Sequence, residues 1–211
     1  MRNRLGMLLR LLTGVLILRV VISVVSNYPG YLPPDFTTEF LHGRQGYFFG
    51  GYSWAFYTHI VTGPFVLLAG LALMNDRLRR RFPAWHRLLG RIQVVSAVLL
   101  LAPSGLWMAF YAATGVVAAT GFATLAIATG ATAILGLKSA VTRRFDQHRL
   151  WMMRCYLLMC SAVVLRLTAG LATVADLDSD WLYPFSAWAS WLLPLSVYEL
   201  FRMTGRHIKS R

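Results

Sequence analysis

Residues 116–137 read VVAATGFATLAIATGATAILGL, 22 positions without one charged side chain, closed by Lys138. About 20 apolar residues carry an α-helix across the roughly 30 Å hydrocarbon core of a bilayer. Working outward, five further apolar stretches of this kind cover residues 6–26, 51–74, 91–113, 149–174 and 185–201. The reading is an all-α polytopic membrane protein of six transmembrane helices. Residues 1–211 form a single integral membrane domain: a first helix to residue 26, a four-helix core over 51–174, and a last helix with a basic tail over 185–211.

Composition supports this reading. Of 211 residues, 57% are hydrophobic and only 14% charged, against about 25% charged in a soluble domain. The excess of 21 Lys and Arg over 8 Asp and Glu would suggest nucleic acid in a soluble chain, but here its distribution follows topology. Seventeen cations fall at the amino end, in the 75–91 and 138–149 connections and in the carboxyl tail, while the opposite connections hold only Arg44. Cytoplasmic loops concentrate Lys and Arg, so both termini are expected in the cytoplasm, with anionic lipid at the basic face. Asp35, Glu39, Asp176, Asp178 and Asp180 fall outside. Cys155 and Cys160 share one apolar segment and read as core thiols. No G-x-S-x-G, H-E-x-x-H or paired catalytic carboxylates suggest a hydrolase.

The long outer connection, 27–50, opens with Pro29, Pro33 and Pro34 and then predicts a short helix, with Asp35 as N-cap and Gly43 as stop. Tyr47, Phe48, Phe49, Tyr52, Trp54, Trp181, Tyr183 and Trp188 collect near the outer boundary, as interfacial rings do. Thr120, Gly121, Thr124, Ala128, Thr132 and Gly136 form a small-residue row on the fourth span, which marks it for close helix packing.

His86-Arg87-Leu88 with Arg91 recurs as His148-Arg149-Leu150 with Arg154, 62 residues later. That interval is one helix hairpin, so the core reads as two tandem hairpins, spans two–three and four–five, forming a central four-helix bundle. Parallel repeats are related by an axis along the membrane normal, which sets His86 and His148 at equal depth. Paired imidazoles on facing helices are candidate axial ligands for haem b, with Arg87, Arg91, Arg149 and Arg154 as candidates for its propionates. The plainer reading of each is a side chain snorkelling at the interface.

In the outer half, three ionisable residues lie inside spans. His59 and Arg19 are about 12 and 10 Å from the outer ends of their helices, and Arg166 follows His148 by five helical turns, about 27 Å. Buried arginines are expensive, and Glu199 is the single acid within the spans. His59, Arg19 and Arg166 are therefore candidates for an outer site that takes a quinone or another small ligand. Carbonyl contacts and snorkelling are the plainer alternative.

The set His59, His86-Arg87-x-x-Gly90-Arg91, His148-Arg149-x-Trp151-Met152-x-Arg154-x-Tyr156 and Arg166 resembles the bacterial membrane-protein family catalogued as domain of unknown function 2306. That resemblance implies a multi-helix membrane domain and no stated activity. A looser similarity is to six-helix b-type cytochromes that carry electrons from ascorbate. His59, His86 and His148 match histidines of that pattern, while the fourth helix here has none, which leaves one bis-histidine haem at most. Three readings stay open: a haem b membrane redox protein, a transporter or binding protein for an anionic or lipid-like ligand, and a non-catalytic membrane subunit.

Overall fold

The computed structural model describes all residues except 1, 39, 178, 210 and 211. Among them the chain is helical, with one isolated bridge, Tyr31 to Pro34, and no strand. The helices are α1 (Arg2–Ser26), α2 (Gln45–Tyr47), α3 (Ser53–Leu73), α4 (Asp76–Arg81), α5 (Pro83–Ser96), α6 (Ala102–Ala109), α7 (Val116–Val141), α8 (Phe145–Met159), α9 (Ser161–Val174) and α10 (Leu182–Lys209). Five helical stretches are long and apolar enough to cross a membrane: Leu11–Gly30, Gln45–Leu73, Pro83–Ala109, Val116–Val141 and Phe145–Val174. The expected sixth segment is occupied by α10, which is not among the five. Its Ser, Pro, Trp and Tyr residues lower its hydropathy although the helix itself is 28 residues long.

The chain divides into two compact units, residues 1–108 and 109–211. Each holds one copy of the repeat. In the first, α1 packs on α3 through Ile17, Val20 and Val21, and α3 packs on α5. Pro64 lies inside α3 and has no N–H for the carbonyl four residues back. That carbonyl belongs to Ile60, and the Tyr28 hydroxyl donates to it instead. Buried Gln93 of α5 donates to the Val66 carbonyl at 2.9 Å. Between α5 and α6 the helix widens to a π turn over Ala97–Leu101, directly before Pro103.

The outer connection is folded but differs from the expected helix over 35–43. Asp35 accepts from the Thr37 amide as an N-cap would, and Gly43 has the left-handed φ of +73° that stops a helix. The described residues between them form turns, because the hydrogen bonds of Leu41 and His42 both return to the Thr38 carbonyl. Glu39 lies outside the described residues. Phe36, Phe40, Phe48, Tyr52 and Phe56 pack ring against ring, with Arg44 stacked 4.6 Å from the Phe40 centroid. Tyr57 of α3 ties this segment down by donating to the Tyr31 carbonyl at 2.8 Å.

In the second unit α7 and α8 are an antiparallel pair, and α10 lies against α7, α8 and α9. A tight turn joins α7 to α8. The Arg144 amide returns to the Ser139 carbonyl (2.8 Å) and the Arg143 amide to that of Ala140 (3.1 Å), with Arg143 at φ +59°. This is the two-bond helix stop that usually recruits glycine. The buried face of α7 comprises Ala118, Gly121, Ala126, Thr129, Gly130, Ala133, Gly136 and Ser139. The small-residue row read from the sequence coincides with it only at Gly121 and Gly136, while Thr120 and Thr124 are exposed. A four-residue row is inclined to the helix axis, so it crosses the contact face and cannot follow it. The exposed threonines satisfy their hydroxyls on their own helix, Thr124 to Thr120 at 2.7 Å. The fifth span is not one continuous helix, since α8 ends at Met159 and α9 begins at Ser161.

Candidate functional site

The repeat persists at the level of helix geometry. His86 is the fourth residue of α5 and His148 the fourth of α8. Each follows a non-helical residue, Phe82 (φ −132°, ψ 65°) or Arg144 (φ −86°, ψ 70°). The amide of each histidine makes its helix's first long-range bond, to the carbonyl of that preceding residue, at 3.0 and 2.9 Å. Both rings are half-buried. His86 belongs to the first unit and His148 to the second.

His148 Nδ1 lies 2.9 Å from the Gly136 carbonyl. A carbonyl only accepts, so Nδ1 carries a proton, and the neutral tautomer with this bond has its lone pair on Nε2. At Gly136 α7 packs closely on α8. A Cβ there would lie 2.5 Å from Met152 Sδ, and Met152 sits one turn beyond His148 on α8.

The arginines named from the sequence divide by environment. Arg87, Arg91 and Arg149 are exposed. Arg154 is committed: its Nε donates to Glu199 Oε1 at 2.6 Å and its guanidinium stacks 4.6 Å from the Trp151 ring centre. The other Glu199 oxygen takes Arg202 at 2.8 Å. One carboxylate therefore bridges two arginines.

Between α3 and α6 His59 Nδ1 lies 3.2 Å from Ser104 Oγ. The serine hydroxyl is within 2.6 Å of the Leu100 carbonyl and 3.0 Å of that of Leu101. Its one proton goes to these carbonyls, so it accepts from His59 Nδ1–H. Ser104 stands just past the π turn, a distortion frequent at functional sites. Arg166 Nη1 donates to the Ala162 carbonyl of its own helix at 3.1 Å, and Arg19 is exposed on α1. Cys155 and Cys160 are free thiols, Cys155 buried with its Sγ 3.7 Å from the Thr129 carbonyl. Among the described residues no three or more His, Cys, Asp or Glu side chains converge to hold a metal.

Sequence reading did not find Ser104, Gln93 or Tyr28. A serine or glutamine inside an apolar run is a visible signal, but its partner is fixed by packing. The Tyr28 contact had an indirect signal in Pro64, which withdraws a donor without showing what replaces it.

The family model described as "Predicted membrane protein (DUF2306)" matches residues 56–202, from α3 into α10. No curated protein and no solved structure matches the chain.

Proposed function

The chain belongs to the DUF2306 family of predicted membrane proteins, and from that premise we propose that it is a haem b-binding redox protein of the bacterial inner membrane, in which His148 would hold the haem through Nε2. The observation that carries this reading is the His148–Gly136 hydrogen bond. Metal-binding histidines characteristically donate their second ring N–H to a carbonyl or carboxylate, which fixes the tautomer and orients the ligating nitrogen. His86, at the equivalent helical position, is the corresponding candidate in the first unit.

A bound haem would supply one-electron chemistry. Gly136 would hold the imidazole in its ligating tautomer, and Glu199 would keep the charge of Arg154 and Arg202 partly neutralised. On the outer side, His59, with its tautomer set by Ser104, is the proposed contact for a quinone or similar lipid-soluble carrier. The charge rule supports a cytoplasmic position for the arginine-rich connections and both termini.

Chemical haem determination on protein purified from haem-replete cells tests the reading. It predicts about one haem per chain in the wild type and none in His148→Ala, with His86→Ala assayed separately. Haem-free wild type overturns it. A second reading, binding of a lipid-like ligand, is favoured by a groove between α8 and α10.

A further inference from the structure

The basic ends of α8 and α10 border an open groove of about 350 Å³. Asp146, Arg149, Tyr198 and Arg202 line its polar part, and Leu150 and Met153 its apolar part. Among the described residues the side chains of Asp146, Arg149 and Tyr198 make no hydrogen bond or ion pair. Arg202 contacts Glu199 through Nε and Nη2, at 2.9 and 2.8 Å, which leaves Nη1 of its fork uncommitted to that carboxylate.

The order of these residues along α8 fixes how an occupant would lie. Asp146 and Arg149 are at the helix end. Leu150 and Met153 follow, a turn further into the apolar span. The groove is therefore charged at the membrane boundary and apolar toward the bilayer, which is the polarity of an amphiphile standing in one leaflet. The charges are of both signs. Asp146 and Arg149 are three residues apart and so neighbours on one helix face, about 5–6 Å between Cβ atoms.

We infer that this groove binds the headgroup of phosphatidylethanolamine in the leaflet on the arginine-rich side. The phosphodiester meets Arg149 and Arg202, whose guanidinium forks suit phosphate oxygens, and Tyr198 supplies a further hydroxyl donor. The primary ammonium, two carbons from the phosphate, donates to Asp146. The acyl chains leave along Leu150 and Met153. A choline headgroup carries its charge without an N–H and gives Asp146 nothing to accept. A glycerol headgroup has no cation at all. This inference is independent of haem binding.

Native mass spectrometry of the full-length protein released from detergent tests it. The probes are phosphatidylethanolamine, phosphatidylcholine and phosphatidylglycerol with identical acyl chains. One charge-assisted hydrogen bond predicts retention of the ethanolamine lipid about tenfold above the choline lipid. Asp146→Asn brings the two to parity, and Arg149→Gln lowers retention of all three. Both positions are exposed, and an unchanged gel-filtration volume establishes that each variant is folded. Equal retention of ethanolamine and choline lipids by the wild type overturns the inference. So does a preference that survives in Asp146→Asn, or phosphatidylglycerol bound above phosphatidylethanolamine.

Discussion

Tyr28→Phe removes one hydroxyl and keeps the ring, so its cost isolates the donor that Ile60 receives. Proline at position 64 deprives the Ile60 carbonyl of its helical partner, and the contact is part-buried. An unsatisfied buried carbonyl costs about 1–3 kcal/mol, and partial burial places this one at about 1–2 kcal/mol. The structure also specifies the coupling. In a Pro64→Ala background the residue-64 amide returns to Ile60, and Tyr28→Phe then costs close to nothing. A double-mutant cycle on unfolding in detergent should give a coupling of about 1 kcal/mol or more. The same Tyr28→Phe cost in both backgrounds would refute the reasoning, since the hydroxyl would then not be replacing the lost helical bond.

Other substitutions test the second unit and the outer connection. Gly121→Ala places a Cβ 3.0 Å from Trp188 Nε1 and 3.3 Å from the Ala187 backbone carbon. The Trp188 ring is itself held on the Val117 carbonyl at 3.0 Å, so overpacking of about 1–3 kcal/mol outweighs the propensity gained on losing glycine. At Gly136 the obstructing atom is the flexible Met152 thioether, and Gly136→Ala should unfold at or above the wild-type temperature, Gly121→Ala below it. Arg143→Gly relieves a left-handed backbone and should stabilise by about 1 kcal/mol in the same assay. The Thr37 hydroxyl, then its amide, hold the exposed Asp35 carboxyl below its ordinary value. A lowered native pKa gives stability that is present above the unfolded pKa and lost as pH falls through the native one. The wild-type margin over Thr37→Val in pH-dependent unfolding should therefore shrink with acidification across that interval.

The helices were largely legible because their signal is local. Apolar runs bounded by basic or glycine-containing connections mark α1, α3, α7 and the α5–α6 and α8–α9 stretches, and the two His-Arg-Leu copies each begin at the fourth residue of a helix. The described residues between Asp35 and Gly43 form turns and not the expected helix, although both end signals are present. The ring packing of Phe36, Phe40 and Phe48 that covers this segment is non-local. The break at Cys160 has no proline or glycine to announce it. At the candidate site the sequence supplied the histidines and the arginines, and also the imbalance that makes Glu199 matter. It could not supply the contact from Glu199 to Arg154, which forms only when α8 and α10 pack, whereas Arg202 lies three residues from Glu199 on the same helix.

The most direct test of the proposed function is the reduced-minus-oxidised optical spectrum of the purified protein, recorded beside a folded His148→Ala variant. The account predicts a Soret band with sharp reduced α and β bands in the wild type, abolished or shifted to a different ligation state in the variant. A colourless wild-type protein from haem-replete cells, or a haem spectrum identical in His148→Ala, would contradict it.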